Sequence, residues 1–223
     1  MNALENTKIL DLSEKQTICL TTLYLSSYGT EVTKVERPGR LGQSEKLGTD
    51  QKGDSLYFNH LNRGQKSIIL DITTAEGTEI LAKLLTFYNV ICVGAEAGYM
   101  ESLGLGYGKP DIIYASYSYY SYYGETGSYK NKPVSSLTAQ AKGVAMDMTG
   151  VHNAYSVQSA PSIAEHDSAA YFATRIVMDL IDWNSRGISQ KVDIALLDSI
   201  YSYIEAAPEA FFTKRKGDFE KVL

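Results

Sequence analysis

The sequence predicts an α/β protein: a parallel sheet with helices on both faces. Three observations predict it. Short apolar runs alternate with segments of helical periodicity through the first half of the chain. The runs are near-continuously apolar, as strands buried on both faces require. Repeated strand–helix–strand units close as parallel crossovers that lay the helices over the sheet. At 223 residues, 44% hydrophobic and 21% charged, the chain suits one globular domain with an appendage, and its aliphatic content argues against disorder.

The elements follow in order. Residues 8–12, KILDL, read as the first strand, and Ser13 follows as a helix N-cap. Residues 16–28 form a helix with Leu20, Leu23 and Tyr24 inward and Gly29 at its C-cap. Residues 31–35 are the second strand, and the polar, glycine-rich stretch 37–54 is a long loop. The third strand is SIILD, residues 67–71. A helix begins at TTAE, residues 73–76, with Ile80, Leu81, Leu84 and Leu85 at helical spacing. Residues 89–93 and 111–116 are the fourth and fifth strands. The second half is more helical, with helices over 137–148, 167–183 and 196–207 and a strand over 191–195. In the longest helix Ala170, Ala173, Ile176 and Leu180 supply a packing face of small and large residues.

Charge and composition narrow the function classes. A net charge of -5 leaves no basic footprint for nucleic acid. No apolar run reaches the roughly 18 residues that span a bilayer. The opening MNALENTKILDLSEK lacks a basic region followed by an apolar one, so the sequence predicts a cytoplasmic protein. Cys19 and Cys92 lie in apolar segments and read as buried thiols rather than a disulfide. With His60, His152 and His166 they show no CxxC or HExxH spacing, so no metal site is expected. Tyrosine is over-represented, 17 against six Phe and one Trp. The stretch YASYSYYSYYGETGSY, residues 114–129, reads as a loop stiffened by rings, as a stacking surface for a flat ligand such as an adenine, or as a nucleic-acid stacking strip that lacks its basic groove.

Generic motifs give no reaction. There is no GxGxxG after a strand and no GxxxxGK[ST], and GLGYGK, residues 104–109, has the spacing of a turn. Glu165, His166 and Asp167 place two carboxylates and an imidazole in consecutive positions at a helix start, where acids commonly serve the helix dipole.

An ordered set of segments goes further. YGTEVTKVERPG resembles LGAEVIKVERPG of the family III CoA-transferases, the group of formyl-CoA transferase, carnitine CoA-transferase and methylacyl-CoA racemase. SLYFNHLNRGQKSIILDITTAEGTEIL resembles that family's SxYFxxxNRNKRSIxLDLKxPEGxxIL. LTAQAKGVAMDMTG resembles LIAQAxSGLMxxTG, and RGISQKVDIALLDSI resembles TGRGQxVDVSLLDAx. ILDLS, ESLGLGY, IIYAS and GETGSYKNKP also stand in the family's order, from Ile9 to Ile200.

The resemblance implies a Rossmann-like large domain over residues 1–210, followed by a charged tail over 211–223. It implies transfer of CoA between an acyl-CoA thioester and a carboxylic acid through an enzyme carboxylate, with CoA as substrate and no metal. The family's catalytic Asp falls on Glu165, which keeps the carboxylate and adds a methylene. Gln16, Arg37, Leu70 and Asp71 match the positions near CoA, where the Arg37 guanidinium suits a phosphate. Other positions depart. ENFRPG becomes VGAEAG over residues 93–98, and Ala-Gly-Pro after Gln16 becomes Thr17-Ile18-Cys19. An acid or His-Asp pair becomes Ser135-Ser136, which removes the second acid/base that racemisation needs. Family members also continue for roughly as many residues again, adding a small domain and interlocking as dimers. Without that portion the sheet's apolar surface predicts association, as a homo-oligomer or with a longer homologue. The alternative is a non-catalytic subunit or scaffold that pairs with an active CoA-transferase chain.

Overall fold

A computed structural model describes residues 2–39, 48, 55–94, 98–108, 112–117, 135–151, 154–159 and 162–204. Six strands, β1 (Lys8–Asp11), β2 (Glu31–Glu36), β3 (Lys66–Ile69), β4 (Val90–Val93), β5 (Ile113–Tyr117) and β6 (Lys191–Ile194), form one sheet. Every pairing is parallel, and the order is β3-β2-β1-β4-β5-β6. This is the doubly wound Rossmann order, whose direction reverses between β1 and β4.

Alternation along each strand explains how a fully apolar run serves two cores. Ile9, Val32, Val90, Cys92, Ile113 and Ala115 face one side with Ile18 and Leu25 of α1 (Gln16–Ser27). Ala139 of α5 (Ser136–Lys142), Phe172 and Ile176 of α6 (Ile163–Arg186) and Leu196 and Ile200 of α7 (Leu196–Tyr201) complete that core. Leu10, Val35, Ile91, Val93 and Tyr114 face the other side with Leu81 of α3 (Ala75–Leu84) and Met100 of α4 (Tyr99–Ser102). Helices therefore cover both faces, as the strand pattern predicts. The α1 helix ends as expected, with Gly29 at a φ of 102° after Tyr28. The Gly29 and Thr30 amides return to the Ser26 and Leu25 carbonyls at 3.0 and 3.3 Å, a Schellman closure.

Several elements differ from expectation. Helix α2 (Leu56–Leu61) was not anticipated; its start is local chemistry, the Ser55 hydroxyl accepting from the Phe58 amide at 3.0 Å. The one-turn α4 was also not anticipated. Helix α5 stops at Lys142 rather than residue 148 because Val144 takes a left-handed φ of 68°. Helix α6 starts at Ile163 rather than residue 167, which puts Glu165 inside its first turn. β3 ends at Ile69, and Leu70 continues the ladder by one bond, its amide to the Glu36 carbonyl at 2.9 Å. The tail 211–223, residues 205–207 of the predicted last helix, residues 118–129 of the tyrosine-rich stretch, residues 95–97, His152 and most of the 37–54 loop lie outside the described residues.

Candidate active site

The carboxyl ends of the strands hold the site, beginning with the turn after β1. Asp11 is fully buried; its Oδ1 accepts from the Ser13 amide at 2.8 Å, and the Ser13 hydroxyl accepts from the Lys15 amide at 2.9 Å. Two successive side-chain turns thus aim the chain into α1. Lys34 of β2 locks them. Its ammonium donates to Asp11 Oδ2 at 3.3 Å, to the Ser13 carbonyl at 2.8 Å and to the Cys19 sulfur at 3.4 Å. Burial works against the ammonium, but Asp11 and Cys19 outweigh it and hold Lys34 charged.

Beside this turn a cleft of about 130 Å³ opens where the sheet order reverses, lined by Leu12, Glu14, Lys15, Arg37, Val93 and Tyr99 among others. Open α/β sheets bind their ligands at such a crevice. Gly94 forms part of its wall. A Cβ there would stand 2.1 Å from the Ser13 hydroxyl oxygen, so the chain passes only because the side chain is missing. Arg37, placed near CoA by the sequence, lines the cleft. Asp71 lies near enough for Arg37 to act on it, but its carboxylate is engaged locally. It accepts from the Thr73 hydroxyl at 2.6 Å and the Thr73 amide at 3.0 Å, and these bonds, then Arg37, hold it below the usual carboxylate range. Leu70 packs on the core beneath, and the next residue but one, Ile72, is the one that reaches the cleft wall.

Glu165 occupies a neighbouring corner at the same edge of the sheet. α1 and α6 both run from the carboxyl edge back toward the amino edge, and they pack side by side. The Thr21 hydroxyl donates to the Ala169 carbonyl at 3.3 Å, which fixes their register. One turn earlier on each helix stand Thr17 and Glu165. Glu165 is half-buried, and its Oε2 is buried with no hydrogen-bond partner among the described residues. Gln16, at the first position of α1, likewise has a buried Nε2 without a partner. Burial first, then the charge of Glu165, pushes the Tyr57 phenol up. Burial also raises Tyr117, opposed by its hydrogen bond with Thr17 and reinforced by Glu165.

The helix separates the three consecutive groups that the sequence places together. Residues one apart on a helix diverge by about 100°. The His166 ring Nδ1 donates to the Ser162 carbonyl at 2.9 Å, and Asp167 turns to the Tyr203 phenol, with burial raising its carboxyl. Only Glu165 faces α1. Gln16 and Glu165 are thus brought to adjacent helix starts and Arg37 to the cleft, whereas Leu70 and Asp71 do not line it. Sequence reasoning missed Thr17, Tyr57 and Tyr117. Tyr57 lies inside the quoted SLYFNH segment and Thr17 inside the replaced Ala-Gly-Pro, so both signals were present. Among the described residues no group of three or more His, Cys, Asp or Glu side chains is placed to hold a metal ion, and no helix is long and apolar enough to cross a membrane.

Comparison with known proteins bears on the family and the fold. The chain is 31% identical over 216 residues to succinyl-CoA:mesaconate CoA-transferase of Haloarcula hispanica, covering 92% of this chain and 54% of that protein. It is 31% identical over 202 residues to human succinyl-CoA:glutarate CoA-transferase, covering 88% and 45%. A crystal structure of a CAIB/BAIF family protein from Brucella suis superposes with a TM-score of 0.87 at 25% identity, over 96% of this chain and 58% of that one. The chain spans about half the length of the curated relatives it matches. Residues 4–218 match CoA-transferase family III, and the chain belongs to that family.

Proposed function

We propose that this protein moves CoA between an acyl-CoA thioester and a carboxylic acid in the cytoplasm, with Glu165 as nucleophile. The observation that carries the reading is the Glu165 carboxylate itself, set in the first turn of α6 with a buried, unpartnered oxygen. A buried carboxylate oxygen without a partner costs stability; Asp167 and Asp179 carry one too, and Glu165 differs in standing where the resemblance puts the family's catalytic Asp.

The chemistry runs in two halves. A Glu165 oxygen attacks the thioester carbonyl carbon, the carbon–sulfur bond breaks, and CoA leaves as thiolate with a mixed anhydride formed. The thiolate then attacks the glutamyl carbonyl, releasing the first acid as carboxylate and leaving CoA on Glu165. The incoming carboxylate attacks this thioester, and the freed thiolate takes the new acyl group, restoring Glu165. In this reading Arg37 meets a CoA phosphate in the cleft, Gln16 offers its amide near the reacting groups, and Leu70 and Asp71 carry the chain to Ile72 at the cleft wall. The large-domain portion covers residues 1–210.

Intact-mass and peptide mapping after acyl-CoA and hydroxylamine test this directly. The wild type should gain a hydroxamate on Glu165 that depends on acyl-CoA, and Glu165→Gln should lose it while keeping its helical circular dichroism. Hydroxamate elsewhere, or activity retained in Glu165→Gln, removes the assignment.

A second reading has its own support. VGAEAG, residues 93–98, stands where the family has ENFRPG, and Asp71 spends its carboxylate on Thr73. A non-catalytic subunit that pairs with a longer, active CoA-transferase chain fits both. Copurification with such a chain, together with an unmodified Glu165, selects this reading.

A further inference from the structure

The cleft at the reversal of the sheet carries two cations. Arg37 enters it just past β2, and Lys15 enters it from the turn between β1 and α1. Both are half-buried, and Glu14 is the acid among the described lining residues. The helix does not explain Lys15. It is the N-cap of α1, a position that prefers side-chain oxygens able to accept from the first amides; a lysine has none, and no side-chain cap bond forms. A cation at this end also opposes the helix dipole.

The facing chain, just past β4, is shaped around Lys15. A Cβ on Gly94 would stand 2.9 Å from Lys15 Cγ, as well as 2.1 Å from the Ser13 hydroxyl oxygen. Gly94 holds the second position of the segment set against ENFRPG, where the family pattern has Asn. The side chain missing there and the lysine stem compete for the same space. The same segment has Glu96 where the pattern has Arg. A cation is thus withdrawn from the segment after β4 and offered by the turn after β1.

We propose that Lys15 is a second phosphate-binding residue of this cleft, and that it holds the diphosphate of CoA together with Arg37. Lys15 replaces the cation missing from residues 93–98. This proposal rests on the reading of the cleft as the place of CoA's phosphates. Arg37 brings a planar fork and Lys15 a point charge on a flexible stem, and the two arrive from different strand ends, which suits two linked phosphates. Glu14 works against both and tempers the affinity.

Titration calorimetry with ADP, which carries a diphosphate and no thiol arm, tests this on wild type, Lys15→Met, Lys15→Arg, Glu14→Gln and, for a cation elsewhere, Lys83→Met. Lys15→Met should weaken ADP about tenfold and flatten the dependence of affinity on salt. Lys15→Arg should restore most of both. Glu14→Gln should tighten ADP about twofold or more, and Lys83→Met should match wild type. AMP, with one phosphate, should lose less than ADP in Lys15→Met. Equal ADP affinity in wild type and Lys15→Met, a loss that Lys15→Arg does not rescue, or an equal loss in Lys83→Met overturns the role of Lys15. Equal losses for AMP and ADP overturn the shared grip on two phosphates. No ADP binding to wild type overturns the cleft as a phosphate site, whereas Glu165 as nucleophile is decided separately by its hydroxamate.

Discussion

Two buried polar clusters sit at the same edge of the sheet, and they are finished to different degrees. Around Lys34 every group is answered: the ammonium has three acceptors, and both Asp11 oxygens have donors. Around Glu165 the groups are left open: Glu165 Oε2 and Gln16 Nε2 are buried without partners. Both clusters carry desolvation costs; in the first, Lys34 and the Ser13 amide oppose the burial of Asp11, although burial still holds its carboxyl above the ordinary range. The difference separates scaffold from site. A fold can hold an unsatisfied corner only where neighbouring structure is over-determined, and here the completed Asp11–Lys34 lock shapes the turn that delivers Gln16 and Thr17.

The largest test of that contrast removes one half of the lock. Lys34→Met leaves Asp11 buried and uncompensated, and should cost about 3–5 kcal/mol. Denaturation by urea measures it. Pairing Lys34→Met with Asp11→Leu should recover most of the loss, because replacing both partners by apolar groups avoids a stranded charge. Glu165→Gln, by contrast, should change stability by less than about 1 kcal/mol, since no bond to Oε2 is lost. Equal costs for the two single variants would erase the distinction between the clusters.

A smaller effect comes from pH. Burial pushes the Cys19 thiol up to about 11, from an ordinary 9.0. Below pH 9 the folded and unfolded chains both hold the proton. Above it the unfolded chain loses the proton while the folded chain keeps it, so stability falls as pH climbs through this window. At about 1.4 kcal/mol per pH unit, the loss is on the order of 2–3 kcal/mol by the upper end. Urea midpoints across the alkaline range should show the decline, and Cys19→Ser should reduce it, the remainder coming from the Cys92 thiol, which burial also raises. An unchanged decline in Cys19→Ser would place the alkaline sensitivity outside the lock.

The same contrast explains what could be read in the sequence. The sheet comes from local rules: apolar runs at β1 and β4 and helical spacing over residues 80–84 of α3. Those rules are dense, so the parallel sheet and both helical layers follow, whereas the Lys34 contacts come only with the fold, and Ser13, which the sequence reads as a helix N-cap, forms a turn before the true cap, Lys15. The open corner depends on Thr17 and Tyr117, separated by a hundred residues of chain, and on a register between α1 and α6 set by one hydroxyl, Thr21. No periodicity encodes that meeting. Glu165 was legible only through the family pattern, because Glu165-His166-Asp167 reads as three equivalent polar residues until the helix turns them apart. The early start of α6 was hidden for the same reason: Ser162 offers no side-chain cap to mark it.

The smallest expected effect lies where α5 ends and the chain sets out toward α6. Val144 holds a φ of 68°, a region that a β-branched residue enters at a cost of about 1–3 kcal/mol. The family's LIAQAxSGLMxxTG has its glycine at this position, whereas this chain has the glycine one residue earlier. Gly143 cannot be given up, since a Cβ there would lie 2.4 Å from Ile200 Cγ2 and 2.9 Å from the Ala139 carbonyl oxygen. The tight contact and the left-handed turn thus fall on neighbouring residues, and only one of them is glycine. Val144→Gly relieves the turn but adds about 0.4–1 kcal/mol of unfolded-state freedom, so the net gain should be about 1 kcal/mol, or roughly 2–4 °C in Tm for a chain of this size. Calorimetry reads that gain, and hydroxamate formation on Glu165 in the same variant assigns it. Raised stability with unchanged labelling would place the strain in the scaffold, with the lock; raised stability with reduced labelling would place it in the open corner, as conformational energy that keeps the α6 start in position.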